Sequence, residues 1–269
     1  MKIAVVGLGL IGASLAKAIR RRTGNTVYGI DIDPATCKKA KAEKFVDKII
    51  EPDALYKADI TFVCLYPQAT VDFILENIHA FRIGSIVTDT CGVKQFITDR
   101  LHEPLSREGI HFIGAHPMAG REVSGIDGAM ENLFDGASFI VTPFDDTPHD
   151  QLRELCALAR EIGFGRVVNT TPEHHDEVIA YTSQLAHLVS NAYGQSPSRK
   201  KHKGFSAGSY KDLTRVAKMN NTLWVELFME NRLPLIEELD EMIRHLTEYR
   251  DALADGDAQR LDEAITLSK

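Results

Sequence analysis

Along the first 170 residues, short apolar runs alternate with stretches of helical spacing. Lys2 to Gly7 is a β-branched, apolar run ending in glycine, after which Ile11, Leu15, Ala18 and Ile19 share one helical face. A turn at Gly24-Asn25 leads into a second apolar run, Thr26 to Asp31, so the opening predicts a strand–helix–strand unit. The same pattern predicts strands over 59–66, 85–90, 111–116, 138–143 and 166–170, with helices over 67–79, 93–102 and 148–162. Strands separated by helices argue for a doubly wound, mostly parallel sheet. The pattern changes at Thr171, a predicted N-cap with Pro172 in the first helical position. An amphipathic helix through Val178, Ile179, Leu185, Leu188 and Val189 is expected to reach about Tyr193. A Gly/Ser/basic loop over 194–210 follows, and 212–268 reads as helical throughout. The expectation is an α/β domain over 1–168 and an all-α domain over 169–269.

Gly7, Gly9 and Gly12 form G-x-G-x-x-G between the first strand and the first helix. Gly7 permits a tight turn, Gly9 lets backbone approach a pyrophosphate, and Gly12 lets helix and strand pack closely. The amides opening the helix, at Leu10, Ile11 and Gly12, face the phosphates with the positive end of the helix dipole. Asp31 ends the second strand 19 residues past Gly12, where a carboxylate bonds ribose hydroxyls and repels a 2′-phosphate. The unit is therefore read as a Rossmann-type NAD site. Asp33, before Pro34, reads as a helix cap, and Arg20-Arg21-Arg22 as a complement to a helix C-terminus.

Composition narrows the setting. Hydrophobic residues make up 44% and charged residues 26%, which excludes a disordered or fibrous chain. With 31 Lys plus Arg against 38 Asp plus Glu the net charge is −7, so nucleic acid and anionic membranes are not expected partners. The short basic run Arg199-Lys200-Lys201-His202-Lys203 is read as a solvated loop or a steering element for an anionic substrate. No apolar run approaches the roughly 18 residues of a membrane helix. The start of the chain runs straight into a strand without room for a signal peptide. Cys37, Cys64, Cys91 and Cys156 are scattered like reduced thiols, and a cytoplasmic protein is expected.

His116 lies in His116-Pro117-Met118-Ala119-Gly120-Arg121-Glu122, at the end of what reads as a parallel strand, the edge where open α/β sheets bind ligands. An imidazole there suits removal of a hydroxyl proton as hydride leaves the same carbon. Arg215, three residues after Asp212 on one helical face, suits bidentate binding of a carboxylate, with Asp212 holding the guanidinium. A surface ion pair is the other reading of that spacing. Lys94, just inside a helix, reads as a solvated lysine in preference to a group favouring anions near the nicotinamide pocket, and Trp224, Leu227, Phe228, Leu233, Leu235, Ile236 and Leu239 read as helical core. His174 and His175 face different directions with no third ligand at suitable spacing, so no metal site is expected.

Gly7-Leu8-Gly9-Leu10-Ile11-Gly12-Ala13-Ser14, the His116 to Glu122 stretch and Asp212-Leu213-Thr214-Arg215 occur in this order. Together they resemble the prephenate/arogenate dehydrogenase family of tyrosine biosynthesis, over essentially the whole chain. The resemblance implies hydride transfer from the hydroxyl-bearing ring carbon of prephenate to NAD, with loss of the ring carboxylate as carbon dioxide, giving 4-hydroxyphenylpyruvate. It places the proton acceptor on His116, a substrate-carboxylate contact on Arg215, a substrate hydrogen bond on His187 and an organising role on Glu122. It also implies a homodimer through the helical domain. Two positions depart from the family pattern. Gln184 replaces a first histidine, and Gly92 stands where many members carry a serine supporting the catalytic histidine, a role left to Thr90 or a water. Prephenate and arogenate both stay open as the dicarboxylate substrate. A 3-hydroxy acid dehydrogenase on the same plan is disfavoured, because no lysine precedes Lys200 on the first helix of the second domain. A non-catalytic NAD-sensing module is the remaining reading.

Overall fold

The computed structural model describes residues 1–121 and 123–266. They pack as two compact units, Met1–Asp176 with Asn220–Leu227, and Glu177–Met219 with the chain from Phe228 onward.

The first unit opens as its apolar pattern predicts: β1 (Lys2–Val6), α1 (Leu10–Arg22) and β2 (Thr26–Ile30). It continues through α2 (Pro34–Ala42), β3 (Lys48–Ile49), β4 (Ile60–Val63), α3 (Pro67–Glu76), β5 (Ile86–Asp89), α4 (Gln95–Arg107) and β6 (His111–Phe112). The six strands pair in parallel in the order β3-β2-β1-β4-β5-β6. The order reverses on either side of β1, and such a switch point opens a crevice at the carboxyl ends of the strands. Both faces are covered. Ile3, Val5, Ile60 and Phe62 lie in one core with Leu15, Ile19 and Phe134, while Ala4, Val6, Val63 and Val87 lie in another with Val71, Ile97 and Leu101. Asp33 accepts hydrogen bonds from the Ala35 and Thr36 amides, so Pro34 begins α2 under an ordinary cap.

One strand departs from expectation. The run read as a single strand over 111–116 splits at Ile113. Its amide still bonds the Val87 carbonyl at 3.0 Å, extending the parallel ladder by one step. From Gly114 the chain leaves for a second sheet made of β7 (Gly114–Pro117), β8 (Ser138–Thr142) and β9 (Arg166–Asn169), with α5 (His149–Glu161) between the last two. There β7 runs antiparallel to β8, with His116 opposite Ile140, and β8 runs parallel to β9. His116 is thus on an antiparallel strand, not at the end of a parallel one. A Cβ on Gly114 would collide with the Thr142 hydroxyl, so a residue without a side chain is needed where the sheets part.

Thr171 caps α6 (Pro172–Ile179), its hydroxyl accepting from the His174 amide at 3.2 Å. The helix expected to run on to Tyr193 is interrupted. Residues Ala180–Leu185 form a π-helical segment before α7 (Ala186–Gly194). The remaining helices are α8 (Gly208–Thr214), α9 (Asn221–Glu230), α10 (Arg232–Asp255) and α11 (Ala258–Ile265). The second unit centres on Ala180, Leu185 and Leu235 with Leu188, Val189, Phe228, Leu239 and Met242 packed against them. Gln184 is buried, its amide oxygen accepting from Asn231 Nδ2 at 2.8 Å. Among the described residues no helix is long and apolar enough to cross a membrane.

Candidate active site

The glycine turn sits at the carboxyl end of β1. Gly7 adopts φ +81°, a left-handed conformation that a side chain would strain, and its amide donates to the Ile30 carbonyl at 2.8 Å. A Cβ on Gly12 would collide with the Gly7 carbonyl oxygen and lie 3.1 Å from Cys64 Cβ, so α1 can approach β1 and β4 this closely only with glycine there. Gly9 is different, since a Cβ on it meets nothing within 4 Å and the space before the helix is open. The helix begins with no side-chain cap and no acid in its first turn, leaving the Leu10, Ile11 and Gly12 end to an anion. Asp31 stands beside the turn, one carboxylate oxygen accepting from the Leu8 amide at 2.6 Å and the other from the Asp33 amide at 2.9 Å. An open glycine turn, an uncapped helix start and a fixed acid at the end of β2 fit a dinucleotide.

From this turn a line of contacts leads to His116. Cys64, against Gly12, lies beside Thr90, and burial pushes its thiol up to about 12. Next to Thr90, Asp89, the last residue of β5, accepts from the Cys91 amide at 2.9 Å and the Ala115 amide at 3.0 Å. The second bond anchors the residue preceding His116 to the carboxyl edge of the parallel sheet. Asp89 also forms an ion pair with Lys94, both side chains 0% exposed. The expectation of a solvated Lys94 is therefore wrong. The residue precedes α4 in sequence, where lysines are normally surface groups, but here its stem runs through the core to reach a buried acid.

His116 is partly buried, and its Nδ1 lies 2.9 Å from Nε2 of His175. His175 Nδ1 lies 2.6 Å from Oδ1 of Asp176, and His175 and Asp176 are each only 2% exposed. The two oxygens of Asp176 also accept the Lys94 amide at 2.8 Å and the Gln95 amide at 2.9 Å, so Asp176 caps α4 from another helix. Burial, with neighbouring His175 and Lys94, holds His116 well below the ordinary histidine range. Burial also lowers His175, against the opposing pull of its bond to Asp176. Both shifts favour the neutral imidazole. A Cβ on Gly92 would sit 3.9 Å from His116 Cε1 and 3.3 Å from Leu227 Cδ2, so Leu227 occupies the side-chain space at this position. Among the described residues, the side chain bonded to His116 Nδ1 is that of His175. Sequence reasoning weighed His175 only as half of a metal pair and passed over Asp176. The usable signal was an acid in the first turns of a helix following the last strand, a place where its carboxylate can reach back to the sheet edge.

After β7 the chain folds back over the start of α1, where the Met130 amide donates to Ser14 Oγ at 3.0 Å and Arg121 donates to the Gly128 carbonyl at 3.3 Å. Glu122 lies outside the described residues. In the second unit, His187 opens α7 and its Nδ1 donates to the Ser183 carbonyl at 2.8 Å. Arg215 directly follows α8 and is exposed, as is Asp212 on that helix. Ser190 Oγ donates to the Leu213 carbonyl at 2.6 Å and Asn191 Nδ2 to the Ala217 carbonyl at 2.9 Å. These bonds bracket Arg215 and hold it on the segment next to the helix that carries His187. The glycine turn, Asp31 and His116 are thus gathered in one unit, and His187, Asp212 and Arg215 in the other. Among the described residues no cluster of three potential metal ligands exists.

Comparison with known proteins divides the chain near residue 170. Residues 15–169 match the nucleotide-binding domain of prephenate dehydrogenase and residues 171–267 its dimerization domain. The cyclohexadienyl dehydrogenase of Zymomonas mobilis is 32% identical over 99% of this chain and 93% of its own. Arogenate dehydrogenase from Synechocystis superposes with a TM-score of 0.81 at 32% identity, covering 98% of this chain and 95% of that one. Prephenate dehydrogenase from A. aeolicus, solved with hydroxyphenyl propionate and NAD+, gives 0.86 at 25% identity, covering 98% and 94%. From its glycine turn to its helical half, the chain belongs to the prephenate dehydrogenase family.

Proposed function

We propose that this protein catalyses the NAD-dependent oxidative decarboxylation of prephenate to 4-hydroxyphenylpyruvate. The observation that carries the reading is the place of His116, tied through Ala115 and Asp89 to the same sheet edge that carries the glycine turn. Bound NAD supplies the hydride acceptor. His116 takes the hydroxyl proton as the ring carbon is oxidised, and the neutral imidazole that burial favours is the form that accepts it. Once the ring hydroxyl becomes a ketone, aromatisation drives loss of the carboxylate, so the remaining groups need only bind and orient. That work is assigned to Arg215 on a substrate carboxylate, His187 on a hydrogen bond, Asp212 on the guanidinium and Glu122 on the network around the ring. Gly7, Gly9, Leu10, Ile11, Gly12 and Asp31 hold the cofactor, within the residues 1–168 proposed as the cofactor domain.

Arogenate is the second reading, favoured by the solved arogenate dehydrogenase at 32% identity. Mixing the protein with NAD and each acid in turn decides between them, read as NADH appearance. The expected result is turnover of prephenate above arogenate. No NADH with either at micromolar enzyme would overturn the assignment.

Two substitutions test the binding groups. Arg215→Ala is expected to raise KM on the order of 10- to 100-fold with a smaller change in kcat, the loss of one charge-assisted contact. An unchanged KM would remove its role. Asp31→Asn keeps an acceptor for the Leu8 amide but removes the charge. It is expected to shift the NAD/NADP ratio of kcat/KM by about tenfold toward NADP, and an unaltered ratio would place cofactor choice elsewhere.

The helical half is proposed to pair two subunits. Leu233, Ile236, Ile243, Leu246 and Leu253 form an exposed apolar row along α10, more than a lone helix leaves to water. Sedimentation at micromolar concentration is expected to show a dimer.

A further inference from the structure

Resting on the reading of His116 as proton acceptor, we propose that His175 and Asp176 are positioning residues that fix which nitrogen of His116 accepts the proton. Both oxygens of Asp176 accept amide protons at the start of α4, and the positive end of that helix favours a carboxylate there. A carboxylate facing His175 Nδ1 at 2.6 Å can only accept, so the proton of neutral His175 lies on Nδ1 and its Nε2 is an acceptor. At 2.9 Å from that Nε2, His116 Nδ1 must then be the donor. Neutral His116 is left with its lone pair on Nε2, the nitrogen on the side away from His175.

Orientation follows as well as tautomer. His175 and Asp176 are almost completely buried, so neither ring nor carboxylate is free to turn, and the bond to Nδ1 sets the plane of the His116 ring. In the reaction one proton moves, from the substrate hydroxyl to His116 Nε2. The resulting imidazolium keeps its Nδ1–H on His175, whose own Nδ1–H stays on Asp176, so no second proton transfer is needed. The carboxylate lowers the energy of the cation through the intervening ring. The neighbours of this chain are charged on both sides, with Lys94 and Asp89 paired behind it and Asp99 and Glu173 near Asp176. Asp176 is the acid bonded directly to His175.

The first arm of the test needs no variant and no turnover. In cofactor-free protein labelled with 15N-histidine, long-range 1H–15N spectra are expected to show His116 with a protonated Nδ1 and a bare Nε2. A bare Nδ1 overturns the proposal. The second arm compares His175→Leu, which removes the acceptor, with His175→Gln, whose amide oxygen can replace it. His175→Leu is expected to lower kcat on the order of 100-fold with little change in KM for NAD, and His175→Gln to recover most of the loss. Equal kcat in both variants and the wild type overturns the proposal, as does equal loss in both with His116 still bearing its proton on Nδ1. Asp176→Asn is expected to move the His116 proton toward Nε2 in the same spectra. The two readings fail separately. If His116→Asn keeps wild-type turnover, the proton-acceptor assignment falls. If that variant is inactive while His175→Leu is not, only the positioning role falls.

Discussion

Replacing His116 with asparagine is expected to lower kcat on the order of 10²- to 10⁴-fold while KM for both substrates changes little. Asparagine has no basic nitrogen, so the hydroxyl proton must leave to water as hydride departs, and that step carries the whole loss. The fold should tolerate the change. The Asn amide can donate to His175 Nε2 in place of His116 Nδ1, so the buried ring keeps a partner. Backbone placement is set elsewhere, by the Ala115–Asp89 bond and the β7–β8 ladder. Thermal unfolding within a few degrees of the wild type would confirm that the kinetic loss is chemical. A kcat within threefold of the wild type would show that another group takes the proton.

Lys94→Met is expected to be the most destabilising single change near the site. Lys94 and Asp89 are fully buried and paired, and methionine matches the lysine stem while removing its charge. Asp89 would keep only the Cys91 and Ala115 amides as donors. Breaking such a pair typically costs about 3–5 kcal/mol. For a unit of this size that corresponds to a melting temperature lower by about 10 °C. Pairing the change with Asp89→Asn should restore part of the loss, because no buried charge is then orphaned. Melting of Lys94→Met at the wild-type temperature would refute the account. The same substitution has a second effect of definite sign. Lys94 is one of the causes holding His116 below the ordinary histidine range, so with His116 as the base the acid limb of kcat/KM is expected below that range in the wild type. Without the ammonium that limb should move up in pH, toward the unperturbed value.

Much of the first half was legible because its signals are local. Strand and helix periods, the glycine turn, the acid closing β2 and the caps at Asp33 and Thr171 depend on neighbours within a few residues. What escaped depends on distant ones. Nothing local in His111 to His116 marks the sheet change at Gly114, because the partner strand β8, with the Thr142 hydroxyl that leaves no room for a side chain at 114, lies far along the chain. Lys94 reads as a surface lysine until Asp89 is found beneath it. His175 and Asp176 sit on a helix whose period looks amphipathic, and only the start of α4 explains why an acid is buried there. The π-helical turn over Ala180–Leu185 keeps the apolar spacing of an α-helix and left no trace in the pattern. Likewise the run read as helical from 212 onward breaks before α9, at Asn231 and at Gly256, the last in a left-handed C-cap.

The first unit does not end where its last strand ends. It continues through Asp176 and takes back Asn220–Leu227, a stretch of α9 whose Leu227 fills the space beside Gly92. A nucleotide-binding fragment trimmed after β9 would therefore lose the imidazole and carboxylate behind His116 and uncover an apolar hole next to it. Swapping the two halves between relatives at a single junction would join mismatched groups at that point. Functional chimeras should need three crossovers, one beyond Asp176 and one on each side of Asn220–Leu227, so that this segment stays with its own parent.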